Sequence, residues 1–169
     1  MNSDALSSKE DEAEPLLEVI VDDNINAASI PFIDMARLVA TACLVAGYQA
    51  APMLCIRFTD DAQMRLLNSQ WRAIDKVTDV LSFPMQDGEV IDMAESLGDI
   101  ALALPFVRQE AERLELPLRA HMSHLIIHAT LHLLGYDHID DIEAAEMQQL
   151  ERLAMQQLGL HEPYPESAL

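Results

Sequence analysis

The chain has 169 residues, half of them hydrophobic, and its 29 acidic and 10 basic side chains give a formal net charge of −19. This length and apolar content predict one domain with a substantial core and exclude a wholly disordered acidic chain. The charge argues against a protein that coats nucleic acid, and two cysteines, too few for a disulfide scaffold, favour a reducing, cytoplasmic location.

The N-terminal part of the chain is predicted to contain an acidic tail, a strand and a helix. Residues 1–15 are polar and acidic, without the basic start and apolar run of a signal peptide, so we expect a loose tail. A strand is predicted at Leu16–Val21 and a helix from Pro31 to Gly47. The uncharged stretch Leu38–Ile56 is long enough to span a bilayer, but its glycine and Pro52 divide it into a helix and a strand, so we expect no membrane span.

Three further strands and four helices complete the predicted domain, and proline, glycine or a capping side chain marks most of their ends. The strands are expected at Met53–Thr59, Val80–Phe83 and Leu97–Leu104, and the helices from Thr59 or Asp60 to Arg72, Pro105 to Leu116, Pro117 to Leu134 and Asp140 to Leu158. This pattern predicts an α+β fold: a small mixed sheet of about four strands packed with about five helices. The single catalytic domain is expected at 16–159, with a C-terminal tail at 160–169.

Five of the six histidines lie between positions 121 and 138. At about 100° per residue, His121, His124, His128 and His132 share one narrow face of the predicted helix. A single histidine on an apolar face is usually a hydrogen-bonded core residue, whereas four in a row would each need buried partners. The row therefore favours a metal site over simple packing.

The spacing indicates which of these histidines bind the metal. His128 and His132 form an i, i+4 pair that can direct two imidazoles at one ion. A glycine then ends the helix and reverses the chain, so that His138 returns as a third nitrogen ligand. His124 lies about 12 Å along the axis from His132, too far to share a metal with it. We predict one zinc ion on His128, His132 and His138 with an open coordination position. His121 and His124 are then candidates either for orienting these ligands or for a purely structural role.

The spacing His-x3-His-x2-Gly-x2-His also occurs in the metzincin proteases. Those enzymes need a glutamate directly after the first histidine as their general base. Here that position is Ala129, which cannot accept a proton. The chain thus has a metzincin-like metal cradle without the proteolytic base, and a metalloprotease-like hydrolase is the weaker hypothesis.

Three blocks of sequence, in the same order and spacing, resemble the YbeY family of bacterial endoribonucleases that mature ribosomal RNA. Residues 128–138 read HATLHLLGYDH and are similar to the family signature HGxLHLxGYDH. Residues 68–84 are similar to the family's N-x3-R-x2-D-x2-TDVLSFP stretch, and residues 97–100 read LGDI. Ala129 replaces a family glycine and Val77 a common proline, and neither change removes a predicted ligand.

The resemblance implies a zinc-type ion at the base of a cleft and single-stranded RNA as substrate. It also implies activity in 3′-end maturation of 16S ribosomal RNA and in ribosome quality control, with His128 and Arg72 as catalytic residues. Arg72 lies between Arg57 and Lys76, an interval in which bases outnumber acids. A guanidinium there could hold a phosphate through two hydrogen bonds.

The sequence leaves open the roles of three aspartates and the identity of the attacking group. Asp137 is a candidate base or orienting group beside His138, or simply a turn residue. Asp79 and Asp99 could orient ligands, although turn and strand-end contacts are the simpler interpretation. Either a water or the RNA 2′-hydroxyl could attack the phosphate.

A third function is also consistent with the sequence. In a non-catalytic ribosome-assembly factor the metal would be structural, and the acidic surface would dock basic proteins of the small ribosomal subunit. No DNA or membrane partner is expected. Residues 1–23 and 139–169 carry most of the net negative charge, so the charge does not exclude RNA chemistry in the central part of the chain.

Overall fold

The computed structural model describes residues 17–49, 52–87 and 89–165. These residues form four strands, five α-helices and one short 3-10 helix at Ala27–Ser29. The elements are β1 (Leu17–Val21), α1 (Met35–Val45), β2 (Met53–Thr59), α2 (Asp61–Arg72), β3 (Val80–Pro84), β4 (Ser96–Ala103), α3 (Leu104–Arg113), α4 (Leu118–Leu133) and α5 (Asp141–Gln157). The predicted α+β class with about four strands and five helices is confirmed, while the tail predicted at 1–15 lies outside the described residues.

The sheet has the order β1-β2-β4-β3. β1, β2 and β4 are parallel, and β3 pairs antiparallel with β4 at one edge. The edge position explains why Pro84 can end β3, because a proline lacks the N–H that an inner strand needs. The sheet is therefore mixed, as the sequence predicts.

The two faces of the sheet are covered by different helices. Leu54 and Ile56 of β2 and Ile100 of β4 belong to the main core, which they share with α1, α4 and α5. Met64 of α2 packs on the opposite face, in a smaller cluster that includes Ala101. Side chains alternate between faces along a strand, so neighbouring residues of β4 enter different layers.

Helix α4 lies at the centre of the molecule. Ten of its 16 residues are buried, and it packs against α1, α3, α5 and the two antiparallel strands. A helix that is enclosed on several sides cannot rotate without losing apolar contacts, so the face that bears its histidines is fixed. Among the described residues, each helix is too short or too polar to cross a lipid bilayer.

Capping side chains mark where α1, α2 and α5 begin. Asp60 and Asp140 cap α2 and α5, as predicted: they accept hydrogen bonds from Gln63 N at 2.7 Å and from Glu143 N at 2.8 Å. Helix α1 begins at Met35 rather than at Pro31, because Asp34 supplies its N-cap. The prediction missed this start by taking the proline as the stronger signal.

The chain continues past α5 against the domain. Residues 160–164 form neither helix nor strand. Leu160 packs on the main core, and the Tyr164 hydroxyl reaches Glu151 of α5 at 2.7 Å. The residues expected to be a C-terminal tail are thus in contact with the domain through position 164.

Candidate metal centre

The end of α4 and the turn after it bring three histidines together. Gly135, with φ of 99°, reverses the chain, and its N–H donates to His132 O at 3.0 Å. The ring centroids of His128 and His132 lie 4.6 Å apart, and those of His132 and His138 lie 5.1 Å apart. The three residues place ligand-capable atoms within 4.8 Å of one another. The structure therefore assembles the set that the spacing predicts.

Hydrogen-bond acceptors determine which ring nitrogens are free to bind a metal. His132 Nδ1 lies 2.9 Å from the carbonyl oxygen of Tyr136, and His128 Nδ1 lies 2.8 Å from Glu151 Oε1. Both acceptors require a proton on Nδ1. We therefore assign the same neutral tautomer to both rings, with the proton on Nδ1 and a lone pair on Nε2.

The two Nε2 atoms lie 3.1 Å apart. Two facing lone pairs repel each other unless a positive species lies between them. Nitrogen ligands at about 2.0–2.1 Å from a tetrahedral zinc are roughly 3.3 Å apart, which is close to this spacing. The donor set therefore fits a zinc-type ion.

Burial keeps His132 neutral. Burial lowers its pKa to about 4, and the neighbouring His128 and His138 rings act in the same direction because protonated imidazoles this close would repel each other. A histidine must be unprotonated to bind a metal, so this shift makes His132 available as a ligand at neutral pH.

Glu151 of α5 is a residue of this site that the sequence analysis did not find. Its carboxylate is fully buried, and its Oε1 accepts hydrogen bonds from His124 Nε2 and His128 Nδ1, both at 2.8 Å. Burial raises the pKa of Glu151, but the hydrogen bonds from these two histidines outweigh it and lower the pKa to about 2. A carboxylate that accepts from the far nitrogen of a ligand fixes its tautomer and orientation.

A sequence signal for Glu151 does exist. Met147, Leu150, Ala154 and Met155 follow helical spacing and pack in or against the core. Glu151 lies on the same face, so it is an acidic residue at a core position of an amphipathic helix. Such a residue requires a buried partner.

The structure also places the predicted supporting residues. His124 donates to Glu151 and so acts on His128 through that carboxylate. Asp137 Oδ1 accepts from His138 N at 2.7 Å and lies 4.0 Å from His138 Nδ1. Asp137 therefore stabilises the turn that presents His138.

His121 belongs to a different cluster. Its Nε2 lies 2.5 Å from Glu110 Oε1 of α3. Burial raises the pKa of Glu110, His121 opposes this, and the nearby Asp79 carboxylate adds to the rise. The three groups place ligand-capable atoms within 4.8 Å of one another, and His121 and Glu110 are in direct contact.

The structure does not bring Asp99 to the histidines. Asp99 is an exposed residue of β4, and it alternates with Ile100, which faces the core shared with α4. Asp99 therefore points to the face of the sheet away from α4. The strand period is visible in the sequence, but the face that α4 covers is not.

The histidines line an open cavity of about 900 Å³. Its wall also includes Arg72, Asp79, Ser82, His121, His124, Asp137 and Tyr164. The cavity is large enough for a nucleotide-sized group.

Arg72 is the basic residue of this wall. Its guanidinium donates to Ser82 O at 2.5 Å and lies 5.5 Å from the ring centroid of Phe83. Arg57 and Arg65, from the same basic interval, form two-bond pairs with aspartates 22 and 75. Across the described parts of the chain, Arg72 has no carboxylate partner. Its charge is therefore available to an anion in the cavity.

Fold and site together define an α+β protein with a three-histidine cluster of metal-binding geometry in an open cavity that also presents the Arg72 guanidinium. The family model described as Endoribonuclease YbeY matches residues 22–159. The chain therefore belongs to the YbeY family.

Curated relatives agree with this assignment. The chain is 46% identical over 130 residues to the Endoribonuclease YbeY of Rhizorhabdus wittichii, a match that covers 73% of this chain and 76% of the relative. It is 45% identical over 128 residues to the protein of the same name from Rhodopseudomonas palustris strain BisB18, covering 74% and 76%. Its fold is similar to the solution structure of TM1509 from Thermotoga maritima, with a TM-score of 0.52, 17% identity and coverage of 85% and 91%. This last likeness concerns the fold alone.

Proposed function

We propose that this protein is a zinc-dependent endoribonuclease that cleaves single-stranded RNA in the 3′-end maturation of 16S ribosomal RNA and in ribosome quality control. One observation carries the proposal: Arg72, with no carboxylate partner in the described residues, lines the same cavity as the three imidazoles. The relatives' printed name supports the reaction, and the sequence resemblance supports the ribosomal substrate. Such a substrate would place the activity in the cytoplasm.

Each residue of the proposed active site has a separate role. His128, His132 and His138 would hold the zinc, which when bound can polarise a phosphoryl oxygen and lower the pKa of a coordinated water. Arg72 would bind the scissile phosphate and stabilise the charge that develops on it. Asp137, at the cavity wall beside His138, is the carboxylate we assign to accept a proton from the attacking hydroxyl.

The geometry at Ala129 disfavours a protease. Its side chain is fully buried in the main core, and its carbonyl oxygen accepts from Ser82 Oγ at 3.1 Å. A side chain at this position points away from the cavity, so a base here could not reach a substrate. The chain therefore lacks the glutamate that a metalloprotease needs, and a side chain at position 129 would face the core and not the substrate.

The assembly-factor alternative has a different weakness. A structural zinc usually has four protein ligands, and the cluster found in the described residues supplies three histidines. An open position suits a catalytic ion. The acidic surface of the chain, at −19 overall, still suits basic proteins of the small ribosomal subunit, which we propose as partners that position the RNA.

A cleavage assay on a 16S 3′-end precursor tests the proposal. We expect cleavage by zinc-loaded wild type, and loss of cleavage in His128→Ala and after chelation of the metal. Arg65→Ala is the control, since Arg65 pairs with Asp75 and lies outside the cavity wall. Casein is tested in parallel, and the zinc content of every sample is measured.

Each alternative predicts its own outcome. Casein digestion without RNA cleavage would favour the metalloprotease. If zinc-loaded wild type cleaves neither substrate, while cells lacking the protein accumulate the precursor, the assembly-factor function replaces the nuclease.

A further inference from the structure

The segment after α5, residues 160–165, lies directly behind the histidine cluster. The Tyr164 ring packs edge-on against His124, with centroids 5.6 Å apart, and the His161 ring lies 6.4 Å from the same histidine. Tyr164 also lines the cavity. The segment thus borders the row of histidines at His124.

The hydroxyl of Tyr164 contacts both oxygens of one carboxylate. It lies 2.8 Å from Glu151 Oε1 and 2.7 Å from Glu151 Oε2. The terminal torsion of a glutamate is broad, so a carboxylate rotates easily unless a partner holds it. A donor that bridges both oxygens restricts this rotation.

The orientation of Glu151 matters because one of its oxygens serves two histidines. Oε1 accepts from His124 Nε2 and from His128 Nδ1, each at 2.8 Å. A rotated carboxylate would lose one or both bonds and leave His128 free to place its proton on the nitrogen that faces His132. The lone pair needed for the metal would then be lost.

The segment itself is held on α5. Glu162 Oε1 accepts from Tyr164 N and from Arg152 Nε, both at 3.0 Å. The Arg152 guanidinium also lies over the Tyr164 ring, 5.6 Å from its centroid. These contacts set the position of the Tyr164 ring before its hydroxyl acts on Glu151.

We infer that Tyr164 is a positioning residue of the metal centre, acting through Glu151 to hold His128 in the tautomer that binds metal. The inference rests on the proposed metal centre and extends it to the C-terminal segment. Deletion of this hydroxyl group, which two successive hydrogen bonds connect to the ligand His128, should weaken metal binding. Outer partners of this kind typically contribute 10–100-fold to affinity.

The test compares Tyr164→Phe with Tyr48→Phe in the full chain. Both variants lose a tyrosine hydroxyl, and Tyr48 lies outside the histidine cluster and cavity wall. Zinc affinity is measured by competition with a chromophoric chelator, and the ligand field is read from the absorption spectrum of the cobalt-loaded protein. We expect Tyr164→Phe to bind zinc about tenfold more weakly, with an altered cobalt spectrum, and Tyr48→Phe to match wild type.

A second measurement reads the tautomer without metal. Nitrogen-15 NMR of the metal-free protein should show His128 with its proton on Nδ1 in wild type and as a mixture of tautomers in Tyr164→Phe. Glu151→Leu, which removes the acceptor altogether, should show the same change. If zinc affinity, cobalt spectrum and tautomer are all unchanged in Tyr164→Phe, or if only its thermal stability falls, the inference is wrong.

These measurements distinguish a failure of the proposed metal centre from a failure of the role inferred for Tyr164. Wild type that binds no zinc would contradict the proposed metal centre and with it the stated role of Tyr164 there. Wild type that binds zinc while Tyr164→Phe binds it equally well would contradict only the inference.

Discussion

At the residue scale, acceptors on the far side of the His128 and His132 rings prepare the histidine cluster for a metal. The Tyr136 carbonyl and the Glu151 carboxylate each hold a proton on Nδ1, so the nitrogens that face the cavity stay bare. Each acceptor comes from outside the helix that bears the ligands. The cluster is therefore a product of packing as much as of spacing.

Arg72 gives the most direct prediction for activity. Arg72→Ala should lower kcat/KM for RNA cleavage by about 10²–10³-fold, because a donor to the developing phosphate charge is lost. Its stability should change little, since the hydrogen bonds of this exposed side chain go to backbone carbonyls. Steady-state kinetics on a short single-stranded RNA check the effect.

Arg65→Ala is the matched control for Arg72. It removes the same charge from the same helix, but Arg65 pairs with Asp75 and lies outside the cavity wall. Equal losses in both variants would mean that net charge, and not the position of Arg72, carries the effect.

Asp137→Asn separates the two roles of Asp137. The amide oxygen of asparagine can still accept from His138 N, so the turn and the zinc content should be preserved, while a proton can no longer be accepted. We expect kcat to fall by about 10²–10⁴-fold. Full activity with normal zinc content would assign Asp137 to the turn alone.

His132 makes the stability of the metal-free protein depend on pH. Its pKa is lowered to about 4 in the folded protein from an ordinary value of 6.5. Between these values the unfolded chain binds more protons than the folded one, so stability falls as pH falls through this window. Glu151, whose pKa is lowered to about 2 from 4.5, acts only at lower pH.

Urea unfolding at about pH 7 and about pH 5 measures this dependence. Wild type should lose about 1 kcal/mol more stability on acidification than His132→Asn, after allowance for solvent screening of a partly exposed group. The variant cannot take up the proton, so its curve should be flatter. Parallel curves for the two proteins would contradict the assignment.

At the element scale, the antiparallel pair β3 and β4 depends on one glycine. Gly98 has φ of 134°, and a Cβ there would collide with the carbonyl oxygen of Phe83 and approach Met85 N to 3.0 Å. Both neighbours are backbone atoms and cannot move aside cheaply. The glycine thus permits the close pairing that places Ser82 and its neighbours beside α4.

Gly98→Ala should therefore lower the free energy of unfolding by about 3 kcal/mol or more. Gly47→Ala is the control: it also has a positive φ, of 95°, but a Cβ there meets nothing within 4 Å. Its cost should be only the backbone strain of about 1–2 kcal/mol. Chemical denaturation of both variants distinguishes collision from strain.

At the scale of the whole molecule, the charge limits how the protein can meet RNA. The net charge is −19. Arg57 and Arg65 each pair with an aspartate, whereas Arg72 does not in the described part of the chain. Among the described residues that line the cavity, Arg72 is the only arginine or lysine, so few phosphates can be neutralised there at once. Affinity for bare RNA should therefore be weak, and we expect a partner to supply the rest of the binding.

Salt titration of binding to an unstructured RNA tests this limit. We expect a dissociation constant on the order of 10⁻⁶ M or weaker at physiological salt. The slope of log affinity against log salt should correspond to about one or two phosphates, at roughly 0.7 per phosphate for single strands. Tight binding with a steep slope would contradict the prediction.

The sequence by itself determined the α+β class, most element bounds and the three clustered histidines. These features are local: the helical period aligns His128 with His132, and a glycine turn returns His138 within six residues. The family blocks added Arg72, whose side chain does line the cavity.

Only the tertiary structure decided which residues support that cluster. Glu151 and Tyr164 reach it because α5 packs on α4 and the chain then folds back, and Asp99 is excluded because α4 covers the other face of its strand. Local periodicity specifies which residues share a face. It does not specify which faces meet, because that depends on burying the apolar surface of the whole chain at once.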